Sequence, residues 1–128
     1  MPGEISILVV DDDEATLHMV STFLRRNGYR VISANNPIRA LEVLRDEPVR
    51  LVITDWMMPY VDGISFTEQA HALPGLADLP VILMTAHAGA ELTDQGLRRG
   101  VALTLTKPLE LHRLLDLVGF ATAPAPPP

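Results

Sequence analysis

Short apolar runs alternate with amphipathic segments along the whole chain. The runs cover residues 5–10, 29–34, 51–54, 81–84 and 102–106, and their lengths are those of β-strands. Between the runs, apolar residues recur every three or four positions, as they do on the buried face of a helix. Five strands, each followed by a helix, predict an α/β domain of (βα)5 type with a parallel sheet covered on both sides.

Capping residues indicate where the helices begin and end. Asp13 is a candidate N-cap for the first helix, and Gly28 is a candidate stop. Asn36 followed by Pro37 is typical of an N-cap with proline at the first helical position, and Gly100 is a further stop signal. The predicted helices cover residues 14–27, 37–46, 64–73 and 91–99, and the last begins at Glu110.

The polarity of the strands predicts their order. The first, third and fourth runs are almost continuously apolar, which is typical of central strands buried on both faces. The second and fifth runs mix polar and apolar residues and are predicted to be edges. The resulting order is 2-1-3-4-5, with the first and third strands adjacent where the winding direction reverses. Open α/β sheets bind their ligands at that point.

Composition limits the possible functions. A chain of 128 residues with 48% apolar composition suits one domain, and the absence of cysteine excludes disulfides, thiolate catalysis and cysteine-bound zinc. A net charge of −6 argues against direct nucleic acid binding by this domain, because that affinity depends on basic groups. No signal peptide or membrane span is evident, so we expect a cytoplasmic protein. We expect the domain to cover residues 1–120 and a proline-rich, mobile tail or linker to follow at 121–128, where a helix should not continue.

Ionisable and hydroxyl groups follow four of the predicted strands, and the ends of parallel strands face one crevice. These groups are Asp11, Asp12, Asp13, Asp55, Thr85 and Lys107. An N-cap role explains Asp13, but Asp11 and Asp12 remain adjacent like charges that a cation would compensate. Because the available ligands are oxygens, Mg²⁺ is favoured over zinc, and Mn²⁺ could substitute for it. The four histidines lack paired ligand spacing and are interpreted as solvated or helix-surface residues.

Each of the later groups has an ordinary explanation when it is considered alone. Asp55 could open a turn, Thr85 could be a strand-end hydroxyl, and Lys107 could protect an edge strand from aggregation. Together they supply a nucleophile, a hydroxyl donor and a cation beside the predicted metal. Covalent aspartyl-phosphate chemistry uses these parts.

Over residues 5–118 the chain resembles the receiver domain of bacterial two-component response regulators, including the chemotaxis-regulator type. The motifs that carry the resemblance are Val9-Val10-Asp11-Asp12, Asp55-Trp56-Met57-Met58-Pro59, Asp62-Gly63, Thr85-Ala86 and Lys107-Pro108. The resemblance implies a flavodoxin-like fold and a phosphoryl group accepted by Asp55 from a sensor histidine kinase or phosphotransfer protein. It also implies a phosphoprotein that assists its own phosphorylation without being a multiple-turnover enzyme, and that regulates an output domain or target protein.

The resemblance also implies individual roles at the site. Asp12, Asp55 and the backbone carbonyl of Met57 would hold Mg²⁺, with Asp11 acting through water. Thr85 and Lys107 would contact the phosphoryl oxygens, and the bond between Lys107 and Pro108 would be cis.

One departure from the family concerns the signal rather than the chemistry. Thr104 stands where receivers usually carry Tyr or Phe, and Leu103 and Leu109 also differ from the common residues nearby. The departure puts in question the usual coupling through the face formed by the fourth helix, fifth strand and fifth helix.

Two other classes of function remain as alternatives. A phosphorylation-independent interaction module with this fold would be expected to have lost an acid, the threonine or the lysine. An aspartate phosphohydrolase would need an Asp-x-Asp motif of its own family and would turn over a phosphate ester repeatedly.

Overall fold

The computed structural model describes residues 6–87 and 89–123 and contains the ten predicted elements in the predicted order. The strands are β1 (Ser6–Val10), β2 (Arg30–Ala34), β3 (Leu51–Asp55), β4 (Val81–Thr85) and β5 (Leu103–Thr106). The helices are α1 (Glu14–Arg26), α2 (Pro37–Asp46), α3 (Gly63–His71), α4 (Ala90–Arg98) and α5 (Leu111–Thr122). The predicted boundaries differ from these by one or two residues at several ends, and Ile5 lies outside the described residues.

All five strands form one parallel sheet in the order β2-β1-β3-β4-β5, which confirms the flavodoxin-like prediction. Every residue of the three central strands is buried, whereas β2 and β5 are each partly exposed. The polarity of the strands was therefore a sound guide to their position. The adjacency of β1 and β3 puts the residues that follow these two strands beside each other.

The capping residues act as the sequence predicted. The side chain of Asp13 accepts a hydrogen bond from the backbone N–H of Thr16, and that of Asn36 accepts one from the N–H of Arg39. Gly28 and Gly100 follow α1 and α4 with φ of +94° and +103°, a conformation that glycine adopts without steric cost. These caps fix where α1, α2 and α4 begin or end relative to the strands they connect.

The sheet is covered by two helical layers. Helices α1 and α5 pack on one face against a core that includes Ile7, Ile53 and Leu114. Helices α2 and α3 cover the other face around the fully buried Phe66, and α4 packs beside them through Leu92.

Two expectations require correction. A helix was not expected beyond residue 120, but α5 continues through Ala121 to Thr122, whose hydroxyl donates to the carbonyl of Val118 at 2.7 Å. The remainder of the predicted tail, residues 124–128, lies outside the described residues. His71, interpreted as solvated or helix-surface, does lie at the end of α3, but it is half-buried and its Nε2 lies 2.7 Å from the carbonyl oxygen of Leu79, so its ring is not fully solvated. Across residues 6–87 and 89–123, no helix is both long and apolar enough to cross a membrane.

Candidate functional site

Three carboxylates meet at the carboxyl ends of β1 and β3. Asp11 follows β1 and is fully buried, Asp55 ends β3 at 9% exposure, and Asp12 is exposed. Each offers an oxygen that lies within 4.8 Å of the oxygens offered by the other two. The pairing of β1 with β3 brings together acids that are 44 positions apart in the sequence. The predicted convergence of these three residues is confirmed.

Lys107 bridges two of the carboxylates. Its Nζ lies 3.0 Å from Asp11 Oδ2 and 3.2 Å from Asp55 Oδ1. Its backbone N–H donates to the carbonyl of Thr85 at 2.7 Å, so the connection after β5 is held against the end of β4. The bond between Lys107 and Pro108 is cis, as the resemblance implied. The lysine therefore supplies the positive charge at this crevice from the far edge of the sheet.

The backbone around Asp55 is held in place by contacts that the sequence did not reveal. The N–H of Trp56 lies 2.9 Å from both Asp55 Oδ1 and the carbonyl oxygen of Met84. The N–H of Gly63 donates to the carbonyl of Trp56 at 2.7 Å, and a Cβ at Gly63 would stand 2.4 Å from the carbonyl oxygen of Asp55. In the sequence, Asp62-Gly63 was recognised only as a motif that the family shares, without a physical reason for the glycine. The need for glycine comes from this close approach, which sequence spacing does not show.

The pKa values of Asp55 and Lys107 are both shifted by burial and by their neighbours' charges. Burial, followed by repulsion from Asp11, raises the pKa of Asp55 above its ordinary value although Lys107 opposes the shift. Burial would lower the pKa of Lys107, but its hydrogen bonds and attraction to the two carboxylates outweigh burial and raise that pKa. The site therefore holds three close carboxylates, two of them bridged by one lysine, which leaves an excess of negative charge for a cation to compensate.

Two predicted site residues, Thr85 and Met57, have no described bond to the carboxylates, and Thr104 lies apart from them on β5. Thr85 ends β4, is 2% exposed, and accepts a hydrogen bond from the N–H of His87 at 3.1 Å. Met57 lies two residues after Asp55 with its side chain 67% exposed. Thr104 is half-buried on β5, next to a cavity of about 300 Å³ at the edge of the sheet. The small side chain thus leaves open space beside the fifth strand.

The donor set fits a hard divalent cation. Three carboxylates with converging oxygens, one of them exposed, suit Mg²⁺ or Mn²⁺, which prefer oxygen ligands. No histidine joins this group within the described residues, which agrees with the sequence-based preference over zinc.

The fold and the site together define a flavodoxin-like α/β domain with an acidic pocket bridged by a lysine. The chain belongs to the response regulator receiver domain family, whose sequence model matches residues 7–119. The match covers the carboxylates, Thr85 and Lys107.

Individual relatives and solved structures agree with this assignment. The chain is 36% identical over 115 residues to the transcriptional regulatory protein ZraR of Klebsiella oxytoca, covering 89% of this chain and 26% of ZraR. It therefore spans about a quarter of that relative's length. Chemotaxis protein CheY4 of Vibrio cholerae superposes with a TM-score of 0.89 at 25% identity, covering 93% of this chain and 99% of CheY4. The receiver domain of the Francisella response regulator 1452 superposes with a TM-score of 0.85 at 30% identity, covering 92% of this chain and 96% of that domain.

Proposed function

We propose that this chain accepts a phosphoryl group on Asp55 in a Mg²⁺-dependent reaction and thereby changes its affinity for an output domain or target protein. The donor is a phosphohistidine on a sensor histidine kinase or phosphotransfer protein. The observation that carries the proposal is the position of Lys107 Nζ, within 3.2 Å of both Asp11 and Asp55. A lysine there neutralises charge on the nucleophile and can pair with a transferred phosphoryl group.

The chemistry requires one bond to form and one to break. A carboxylate oxygen of Asp55 bonds to phosphorus while the bond from phosphorus to the donor's imidazole nitrogen breaks. The imidazole leaves with the electron pair and takes up a proton. Ala86, exposed beside Thr85, leaves the approach to Asp55 open. The protein contributes mainly positioning and charge neutralisation, as is usual in phosphoryl transfer.

Each of the other polar residues has a separate task. Asp11, Asp12, Asp55 and the Met57 carbonyl would hold Mg²⁺, with Asp11 acting through water. When bound, the ion supplies charge neutralisation at the transferring group. Thr85 donates its hydroxyl to a phosphoryl oxygen, and Lys107 pairs with another.

The chain is a stoichiometric phosphoacceptor rather than a multiple-turnover enzyme. A new dianionic group on Asp55 attracts Thr85 and Lys107, and their movement shifts the region of β4 and β5 between two states. A phosphorylation-independent interaction module is the less favoured alternative, because such a module would be expected to have lost an acid, the threonine or the lysine, and the sequence retains them all.

The proposal is tested with acetyl phosphate and Mg²⁺ as a small phosphodonor system. Intact mass should increase by a single phosphoryl group, and Asp55→Asn should abolish the increase. Asp78→Asn is a matched control, because Asp78 is an exposed aspartate in the connection before β4. A chain that never gains the mass, or gains it equally in Asp55→Asn, contradicts the proposal.

A further inference from the structure

The connection between β3 and α3 (residues 56–62) contains apolar residues that pack against the core and others that are exposed to solvent. Met58 and Val61 pack against the core between the sheet, α2 and α3. Met57 and Tyr60, by contrast, are 67% and 86% exposed. The exposed pair belongs to the segment that starts directly after Asp55, at the carboxyl end of β3. These exposed side chains therefore lie on the segment that leads away from Asp55, the residue to which a phosphodonor has to deliver its group.

The backbone of Tyr60 is unusual within the described residues. Its φ is +75°, and it is the one non-glycine residue there with a positive φ. This conformation brings the Cβ of an L-residue close to its own backbone, so that glycine or asparagine occupies it at lower cost. The connection is held in this shape, since the N–H of Gly63 donates to Trp56 and that of Val61 donates to the carbonyl of Pro59 at 2.9 Å.

Stability does not account for a tyrosine at this position. A side chain that is 86% exposed recovers little apolar burial to offset the backbone cost. Exposed aromatic residues on a rigid segment are, however, favoured anchors in protein interfaces, because they bring a large contact area with few rotatable bonds. Backbone outliers that cluster beside a reactive site are a reason to look for such a function.

We propose that Tyr60 anchors the phosphohistidine-bearing protein that delivers the phosphoryl group to Asp55. This inference rests on the proposed function, since it concerns the donor for the same site. The partner that binds Tyr60 is the protein donor alone, because acetyl phosphate is too small to contact Asp55 and Tyr60 at the same time. Loss of the aromatic ring should therefore slow phosphorylation by the protein donor and leave phosphorylation by acetyl phosphate unchanged.

Three substitutions distinguish the ring from the backbone. Tyr60→Gly and Tyr60→Asn tolerate the positive φ and remove the ring, whereas Tyr60→Phe keeps the ring. Phe120→Ala is the matched control, since Phe120 is also 86% exposed but lies near the end of α5. Each variant is phosphorylated with acetyl phosphate and, separately, with a dialysed extract of the native host charged with ATP. Incorporation at Asp55 is followed by intact mass.

We expect all four variants to match the wild type with acetyl phosphate. With the extract, Tyr60→Gly and Tyr60→Asn should be slower by about tenfold, which corresponds to about 1.4 kcal/mol and lies within the range of interface anchors. Tyr60→Phe and Phe120→Ala should stay near the wild-type rate. Tyr60→Gly and Tyr60→Asn should also unfold at or above the wild-type temperature, which excludes misfolding as the cause of slow transfer.

Equal rates for all variants with the extract would overturn the inference, as would a wild-type chain that the extract never phosphorylates. A uniform loss with both donors would also overturn it, because Tyr60 would then act on Asp55 itself. Failure of the wild type with acetyl phosphate would instead count against the proposed function.

Discussion

Replacing Gly63 with alanine adds only one methyl group, but it should destabilise the domain and displace the phosphoacceptor Asp55. The added Cβ would lie 2.4 Å from the carbonyl oxygen of Asp55 and 2.6 Å from Leu83 Cδ1, where ordinary contacts begin at 3.4 Å. Each contact is therefore short by about 1 Å, and one of the two partners is backbone that cannot rotate away. Overpacking of this kind costs about 1–3 kcal/mol, and two contacts this short put Gly63→Ala in the upper part of that range. The helix-propensity gain of alanine over glycine, up to about 1 kcal/mol, offsets only part of that cost.

We therefore expect a net destabilisation of about 1–2 kcal/mol, which lowers the thermal midpoint of a domain of this size by roughly 4–10 °C. Because a misplacement of about 1 Å at a reacting atom can slow a reaction by about 100-fold, acetyl phosphate should modify Asp55 much more slowly. Thermal unfolding and the time course of intact mass measure the two effects.

Gly119→Ala is the control for the glycine-to-alanine change itself. Gly119 lies inside α5, and a Cβ there would meet only the hydroxyl oxygen of Tyr29 at 3.7 Å, an ordinary contact. This variant should keep its reaction rate and gain up to about 1 kcal/mol of stability. A Gly63→Ala protein with wild-type stability and rate would refute the argument that close packing at Gly63 positions Asp55.

Three further predictions concern the metal, the charge and the signal. Mg²⁺ binding should change the emission of Trp56, the residue next to Asp55, because a bound ion alters the local field. Asp12→Ala should strongly weaken that response, whereas Asp13→Ala should mainly lower the thermal midpoint, and equal effects on metal affinity would contradict the assigned roles. Asp55→Asn should unfold at a higher temperature than the wild type at pH 7, because the raised folded-state pKa means that ionised Asp55 opposes folding. That difference should shrink as the pH falls towards 3.8, and a less stable Asp55→Asn at pH 7 would reverse the sign. Beryllofluoride with Mg²⁺, which stands in for the phosphoryl group, should shift amides around the site and leave most of α5 unmoved, because Thr104 offers too little volume for two discrete packings. Amides at the end of β5 next to Lys107 should shift with the site, but large cooperative amide shifts along the whole of β5 and across α5 would contradict this view.

The sequence predicted the architecture well because its signals were local. The central strands are continuous apolar runs, and Asp13 and Asn36 occupy the cap positions that their side chains favour. Element ends were less certain, since a strand or helix can gain a residue from a neighbour's hydrogen bond. The end of α5 is such a case, because the tail was expected to begin at Ala121, whereas Thr122 still lies within the helix and is 3% exposed.

The sequence located the site but not the contacts that hold it. Parallel strands place their ends at one edge, so the convergence of Asp11, Asp12 and Asp55 followed from topology. The close approach of Gly63 to Asp55 did not, because it depends on the path of a connection between two elements. The bond between His71 and Leu79 was also missed, because a lone histidine gives no periodic signal in the sequence.

The bridge from Lys107 to Asp11 also determines when the site is assembled during synthesis of the chain. The two residues are 96 positions apart, and the lysine follows β5, the last strand in the sequence. A ribosome that has delivered the first three strands has already made both acids and the nucleophile, but not their cation. The reactive centre is therefore assembled only after β5 has emerged and docked, so a half-made chain should be inert to phosphodonors.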